Sequence, residues 1–292
     1  MTVVIKVTTA NVTWNTTTPA SGSYVPSVTT EQKVILTGAV TCPDTIDANG
    51  VSLSTSITVI ISAAPSADKD NNDNTVEVGK KKKSDDGKAI YKITASNAKN
   101  KTVTYVEPTK KKTSKITIPD TVTIDGIVYK VTAIEANAFK NNKKITKVTI
   151  GKNVTSIGKN AFMGCTKLTS VTIGKKVKTI GASAFSGCSK LKTVKMGDAV
   201  TTIGDKAFYK CTALTKITIP SKVSKIGKSA FYGCKKLKDI TIKTTKLTSK
   251  KVGSKAFKGT PKNATVKVPK KSLKAYKKFL MKKGIHTKAE IK

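Results

Sequence analysis

A chain of 292 residues, 38% hydrophobic and with a formal charge of +38, has room for two or three modules and a sizeable core. All 55 basic residues are lysine; arginine, the residue suited to planar bidentate recognition of phosphate and guanine, is absent, which argues against a sequence-reading nucleic-acid protein. The longest apolar runs have the length of single strands, too short to span a bilayer.

The charge is lopsided. Residues 1–79 hold three lysines and seven acids, net −4, whereas residues 80–292 hold 52 lysines and ten acids, net +42. Such an excess favours diffuse attraction to polyanions. Residues 1–63 are rich in threonine, valine and serine. Strands are expected at Thr2–Thr8, Val12–Asn15, Lys33–Val40 and Val51–Ser62, separated by turn clusters at 19–22, 43–44 and 47–50. They read as a small all-β, immunoglobulin-like module, thin for a complete sandwich and open to truncation at its front. Trp14 is expected as a core plug and Cys42 as a packed thiol. The opening Met1-Thr-Val-Val-Ile-Lys-Val lacks the basic and long apolar regions of a signal peptide. Two options stay open: a chain that starts downstream of its true start, and a piece of a longer secreted protein.

Residues 64–88 are polar, charged and free of aromatics, the composition of a solvated linker. A short β segment at Thr75–Val78 is the one candidate for the next module. Residues 89–130 carry irregular strands at Ile90–Thr94, Thr102–Val106, Lys115–Ile118 and Val128–Val131, read as an N-terminal cap that covers an otherwise raw apolar face. Ile116 and Ile118 before Pro119 mark a degenerate repeat.

From residue 131 the sequence repeats every 23 residues. Phe139, Phe162, Phe185, Phe208 and Phe231 each follow an alanine. Asn142 and then Cys165, Cys188, Cys211 and Cys234 stand three places further on. Ile145, Leu168, Leu191, Leu214 and Leu237 come next, followed by two alternating aliphatic columns beginning at Val148 and Ile150. A period of this size means a solenoid whose units bury their apolar edges against their neighbours. Within one unit, Leu168 to Ile173 has the alternation of a strand, and Val154 to Ile157 reads as a second extended segment. Gly158 is read as permitting a bend, and Lys159 to Cys165 as a single helical turn. The repeats are expected over 131–262. Residues 263–292 then supply a last strand at Ala264–Val268 and an amphipathic capping helix with Leu273, Tyr276, Phe279 and Leu280 on one face. Packing over the open end is favoured over lying on an anionic membrane.

The pattern V-x-x-I-G-x-x-A-F-x-G-C-x-x-L-x-x-V-x-I resembles the BspA-type (type 5) leucine-rich repeat, strongly over 131–243 and over 89–283 with the caps. Glu135 for glycine, Asn142 for cysteine and the stretched last unit, with Phe257 26 residues past Phe231 and Thr260 for cysteine, depart from it at the ends. The lysine-rich helix Lys270–Lys283 also resembles the family's. The resemblance implies a mainly β leucine-rich-repeat solenoid with an N-terminal β cap and a C-terminal capping helix. It also implies an extracellular or cell-surface role in adhesion, host-matrix binding or protein interaction, with no cofactor and no catalytic residues.

The residues themselves offer little chemistry. His286 is the single histidine and reads as a surface residue rather than a general base. The cysteines lack the clustered pairs and histidine partners of a zinc site. The cysteine column reads as buried thiols. The acids at 68–73 and 85–86 lack EF-hand spacing, and a phosphate-cradling glycine loop is absent. What remains is surface. Residues pointing outward from the strands form two columns: Lys147, Ser170, Thr193, Lys216 and Asp239, and beside them Thr149, Thr172, Lys195, Thr218 and Thr241. They are the candidate partner-binding face, with β-propensity on a solvated face as the plain alternative. Expected partners are proteins or acidic polymers such as teichoic acids, sulfated glycans or host matrix proteins, with no specific nucleic acid. The expected function is a non-catalytic adhesion or interaction module. The competing one is a wall-retention appendage of a larger secreted enzyme.

Overall fold

The computed structural model describes residues 78–97, 99–110 and 113–292, together with two isolated strands in the N-terminal region. The chain divides into two compact units, Met1–Asp73 and Asn74–Lys292. In the first, β1 (Gln32–Leu36) pairs antiparallel with β2 (Ile57–Ile61). The other strands expected there, the immunoglobulin-like reading, Trp14 and Cys42 lie outside the described residues.

The second unit opens with antiparallel hairpins. β3 (Lys81–Lys83) pairs with β4 (Ala89–Asn97), and β4 with β5 (Asn100–Pro108). Composition alone marks residues 80–88 as tether. In the structure this run is an edge strand and turn, because β4 supplies backbone partners that a lysine run cannot supply for itself. Ser84 is buried, its hydroxyl bonded to the Asp86 carboxylate and the Ala89 carbonyl. β6 (Lys115–Ile118) is already a solenoid strand. β7 (Thr121–Ile124) and β8 (Ile127–Ile134) form a hairpin around Asp125-Gly126, both at positive φ, as two-residue Asp-Gly turns require. The Asp85 carboxylate accepts both turn N–H groups at 2.8 and 3.1 Å. β5 then pairs parallel with β8, so the cap converts antiparallel pairing into the parallel stacking that follows.

From there two strand columns alternate along the chain until the last two strands, which both join the front. They run β9 (Lys147–Ile150), β10 (Ser156–Ile157), β11 (Ser170–Thr172), β12 (Thr179–Ile180), β13 (Thr193–Lys195), β14 (Thr202–Ile203), β15 (Lys216–Ile219), β16 (Lys225–Ile226), β17 (Asp239–Ile242), β18 (Thr265–Lys267) and β19 (Glu290–Ile291). β8, β10, β12, β14 and β16 pair in parallel on the return side. On the front, β6, β9, β11 and β13 form one ladder and β15, β17, β18 and β19 another.

The third side is not helical, contrary to the reading of Lys159 to Cys165. Asn160 and Gly164 have φ of 57 and 70, which breaks any α-helical run. Alternate N–H groups point to the next turn instead: Asn160 to Ala182 O at 2.9 Å, Phe162 to Ala184 O at 2.7 Å, Gly164 to Ser186 O at 2.7 Å. Each turn thus satisfies the backbone of the one before it.

Inside, the phenylalanines form a spine. Ring centroids are 4.9 to 5.4 Å apart from Phe139 to Phe257 and the planes lie within 8° of parallel. Tyr105 of the cap continues the stack on Phe139 at 5.2 Å. Each cysteine thiol donates to a phenylalanine carbonyl one turn back: Cys165 to Phe139, Cys188 to Phe162, Cys211 to Phe185 and Cys234 to Phe208, at 3.1 to 3.2 Å. All four are free and buried. Thr260, in the same column, is buried with its hydroxyl unpartnered, since its C–O bond is shorter than the C–S bond that lets cysteine reach.

Gly158 has an ordinary φ. Its role is close approach rather than bending, because a Cβ there would lie 2.5 Å from Ala136 N. A second glycine column follows the front strands, where a Cβ on Gly174 would meet Gly151 O at 2.2 Å, and one on Gly197 would meet Gly174 O at 2.3 Å. Pro220 takes the next place with a ring and no N–H, and there the front ladder parts between β13 and β15. Val194 and Met196 on the parted edge are only partly buried, and the turns stay joined through β14 and β16.

Lys206 and Lys210 both hold φ of 53; the last turn repeats a lysine at the first position as Lys255, while at the second the other turns place asparagine or glycine. Left-handed backbone costs a lysine about 1–2 kcal/mol, partly offset by glycine's freer unfolded chain. Lys210→Gly is therefore expected to raise stability by up to about 1 kcal/mol, read as a higher urea midpoint at unchanged slope.

The far end is closed by α1 (Leu273–Leu280), with Tyr276, Phe279 and Leu280 buried. The Tyr276 hydroxyl donates to Thr244 O at 2.8 Å and accepts from Leu247 N–H at 3.2 Å. Gly284, at φ 105, ends the helical segment. The helix packs on the array, and β19 adds a front strand beyond the one expected at Ala264–Val268. Among the described residues no helix is long and apolar enough to cross a membrane.

Candidate functional site

The front sheet gathers all ten predicted partner-binding residues on one face. Period-2 alternation sends Val148 and Ile150 inward and Lys147 and Thr149 outward, and parallel pairing repeats that choice at each turn. Lys147 pairs in register with Ser170 and Ser170 with Thr193, while Thr149 stands beside Thr172 and Thr172 beside Lys195. Lys216 stands beside Asp239 and Thr218 beside Thr241. The ladder break at β13 separates these into two groups.

Four further residues extend the face: Lys115 and Thr117 of β6, in register with Lys147 and Thr149, and Thr265 and Lys267 of β18, in register with Asp239 and Thr241. A signal for the first pair was present, because Lys115-Ile-Thr-Ile118 repeats Lys216-Ile-Thr-Ile219. The second pair is masked by the stretched last unit. Lys216, Asp239, Thr241, Thr265 and Lys267 surround a shallow hollow of about 150 Å3. Five lysine–carboxylate pairs join described residues, and Glu290, at the end of the front ladder, is the one front-strand acid among them; Lys152–Asp120 and Lys88–Asp86 are 3.0 Å examples elsewhere. The lysines of the front face are paired with no described acid and project positive charge. A wider groove of about 830 Å3 lies at the cap among Lys83, Lys88, Lys110, Lys115 and Ile116, with Asp86 at its edge.

His286 is half-buried and its Nδ1 accepts the Lys288 N–H at 3.1 Å, a local turn contact. Burial pushes the thiols of Cys165 and Cys234 up to about 12 and raises those of Cys188 and Cys211 as well, the reverse of what a reactive thiolate needs. Among the described residues no group of histidine, cysteine and acidic side chains is arranged to hold a metal ion.

The repeat geometry has relatives. The family model for the BspA-type leucine-rich repeat region matches in six copies, over residues 109–211, 132–264 and 201–285, more than half of the 292-residue chain. A leucine-rich cell surface protein from Faecalibacterium prausnitzii A2-165 is similar at 32% identity and a TM-score of 0.51, over 62% of this chain and 53% of that one. The chain thus spans about half the length of that relative. Leucine-rich repeat proteins from Bacteroides ovatus (24% identity, TM-score 0.47, 62% and 58% of the two chains) and T. pallidum (21%, 0.47, 60% and 82%) overlap more weakly. Among curated proteins none matches. Stacked 23-residue turns, their phenylalanine and cysteine columns and the six matched copies lead to one conclusion: the chain belongs to the BspA-type leucine-rich repeat family.

Proposed function

We propose that this protein is a non-catalytic, bacterial cell-surface interaction module whose front sheet engages acidic partners. The carrying observation is the face itself, with Lys115, Lys147, Lys195, Lys216 and Lys267 exposed among threonine and serine hydroxyls and free of described acidic partners. Its backing segment, residues 80–292, is net +42. The cell-surface placement follows the name of the Faecalibacterium prausnitzii relative. Scarce aromatics on this face speak against a tight hydrophobic hot spot. The missing arginine speaks against base reading. Attraction through mobile ammonium groups is long-ranged, salt-sensitive and tolerant of partner shape.

The full chain is expected to bind a heparin-type matrix at low salt and to elute as salt approaches about 0.5 M, where screening is strong. Three exposed contacts at about 0.5 kcal/mol each make about a tenfold loss for Lys147→Glu/Lys195→Glu/Lys216→Glu. Retention that ignores salt, or a triple variant that elutes with the parent, would overturn the front face as the contact surface.

A further inference from the structure

Among the described residues, Tyr209 and Tyr232 are the only phenylalanine or tyrosine rings that are not buried. Both stand one place after a core phenylalanine, on the outside of the turn ladder. In the other turns that place holds Lys140, Met163, Ser186 or Lys258. The fold therefore does not require an aromatic there. Backbone bonds set these residues one above another: Gly164 N–H to Ser186 O at 2.7 Å, Gly187 N–H to Tyr209 O at 2.8 Å, Lys210 N–H to Tyr232 O at 2.7 Å.

The two tyrosine rings stack at 5.2 Å and 15°. Tyr232 thus covers one face of Tyr209. The turn on the other side presents only the short Ser186, and the turn beyond that the half-buried Met163. At the 5.2 to 5.3 Å spacing of successive turns, the places of Tyr209 and Met163 are about 10 Å apart along the stack, with only the short Ser186 between them. A six-membered ring at about 3.5–4.0 Å from each side fits in that width.

Charge is supplied at the same spot. The Lys206 and Lys210 ammonium groups lie over the Tyr209 ring, 6.0 and 5.4 Å from its centroid, so a sugar stacking on that face moves them to the ring's edge. Both lysines are exposed and neither is ion-paired to a described acid. Nearby Asp205 spends a carboxylate oxygen on the Lys228 N–H at 2.8 Å. Both lysines hold a left-handed backbone, and Lys210 does so where the neighbouring turns have Gly187 and Gly233. The left-handed backbone at position 206 recurs in every turn, Lys255 included, and belongs to the fold; the lysine at 210 is what sets this turn apart.

We infer that Tyr209, Tyr232, Lys206 and Lys210 form a binding site for a uronic-acid residue of an acidic polysaccharide. The apolar face of the pyranose stacks on Tyr209 in the slot over Ser186, and the two ammonium groups take the carboxylate. A carboxylate carried directly on the sugar ring matches ammonium groups within about 6 Å of the stacking ring. A phosphodiester strung between flexible polyols offers no flat ring. The site lies on the turn side, apart from the front sheet, so it stands or falls separately from the front-face reading.

The test is calorimetry and saturation-transfer NMR on the full chain with a galacturonate oligomer and its methyl ester. Three variants change the site using residues the neighbouring turns already carry: Tyr209→Ser/Tyr232→Ser, Lys206→Ser/Lys210→Gly, and Ser186→Tyr, which fills the slot. The parent is expected to bind the acid and not the ester, with transfer to the sugar ring protons. Each variant is expected to weaken binding tenfold or more, although two of the three leave the charge unchanged. Equal binding by the tyrosine variant or by Ser186→Tyr overturns the site, as does absence of binding by the parent. The triple front-face variant separates the two surfaces: if it alone loses the oligomer, the turn-side site is overturned while the front face stands.

Discussion

Stability of the repeat array is expected to fall steeply as pH rises from 9 towards 12, and to be flat from about pH 6 to 9, above the range in which the lowered carboxylates of Asp86 and Asp120 take up protons. The cause is the cysteine column. An unfolded cysteine titrates near its ordinary value of 9.0, whereas burial pushes Cys165 and Cys234 up to about 12 and raises Cys188 and Cys211 too. Below pH 9 both states hold the thiol proton and nothing is gained or lost. Above it the unfolded chain releases protons that the folded chain retains, so each pH unit removes about 1.4 kcal/mol per thiol. Four thiols give on the order of 5 kcal/mol per unit, against a total of about 5–15 kcal/mol for an ordinary domain. Burial also raises the hydroxyls of Tyr91, Tyr105, Tyr129 and Tyr276 from their ordinary value of 10.0, which adds to the fall at higher pH, so the diagnostic window for the thiols is pH 9 to 10. Urea midpoints at pH 8, 9 and 10 measure the effect. Cys211→Ala, which removes one of the four thiols, should lower stability at pH 8 yet flatten the fall by about a quarter. Equal midpoints at pH 8 and pH 10 for the parent would refute it. At pH 8 the same burial should keep all four described thiols unreactive towards a thiol reagent until the array unfolds.

Phe185→Ala is expected to cost the array about 3–5 kcal/mol, the usual penalty for emptying a buried aromatic position. Phe185 is fully buried and lies between Phe162 at 5.2 Å and Phe208 at 5.3 Å, with both pairs nearly parallel. The truncation therefore removes two ring contacts of about 0.5–1.5 kcal/mol each along with the transfer term. The consequence is specific to a solenoid, where each turn is held by its neighbours alone. Weakening the middle turn uncouples the turns on either side, so urea unfolding should broaden or resolve into two transitions. Phe185→Leu, closer in volume, should cost less than about 1.5 kcal/mol and keep one transition. A loss below about 1 kcal/mol for the alanine variant would mean that the spine carries less of the stability than its burial indicates.

The residues of the core and of the outward face could be read from sequence because the 23-residue period does the work of a structure. When Phe162 recurs as Phe185 and Phe208, and Val171 as Val194, the repeat itself says which positions stack, and period-2 alternation says which side faces solvent. Lys147, Ser170 and Thr193 accordingly stand in register on the front sheet. What sequence could not supply was how each turn meets its neighbour. Lys159 to Cys165 is locally plausible as a helical turn. Its N–H groups bond across to the next turn only because that turn lies within 2.7–2.9 Å, a partner invisible to local propensity. Gly158 reads locally as a bend and is, in the structure, a close contact with Ala136. The parting of the front ladder at Pro220 and the strand status of Lys81–Lys83 are likewise decided by contacts between separate strands. Side-chain identity determined the repeat and its core. Only the packing of one turn on the next decided where the backbone pairs, where it parts, and which turn faces meet.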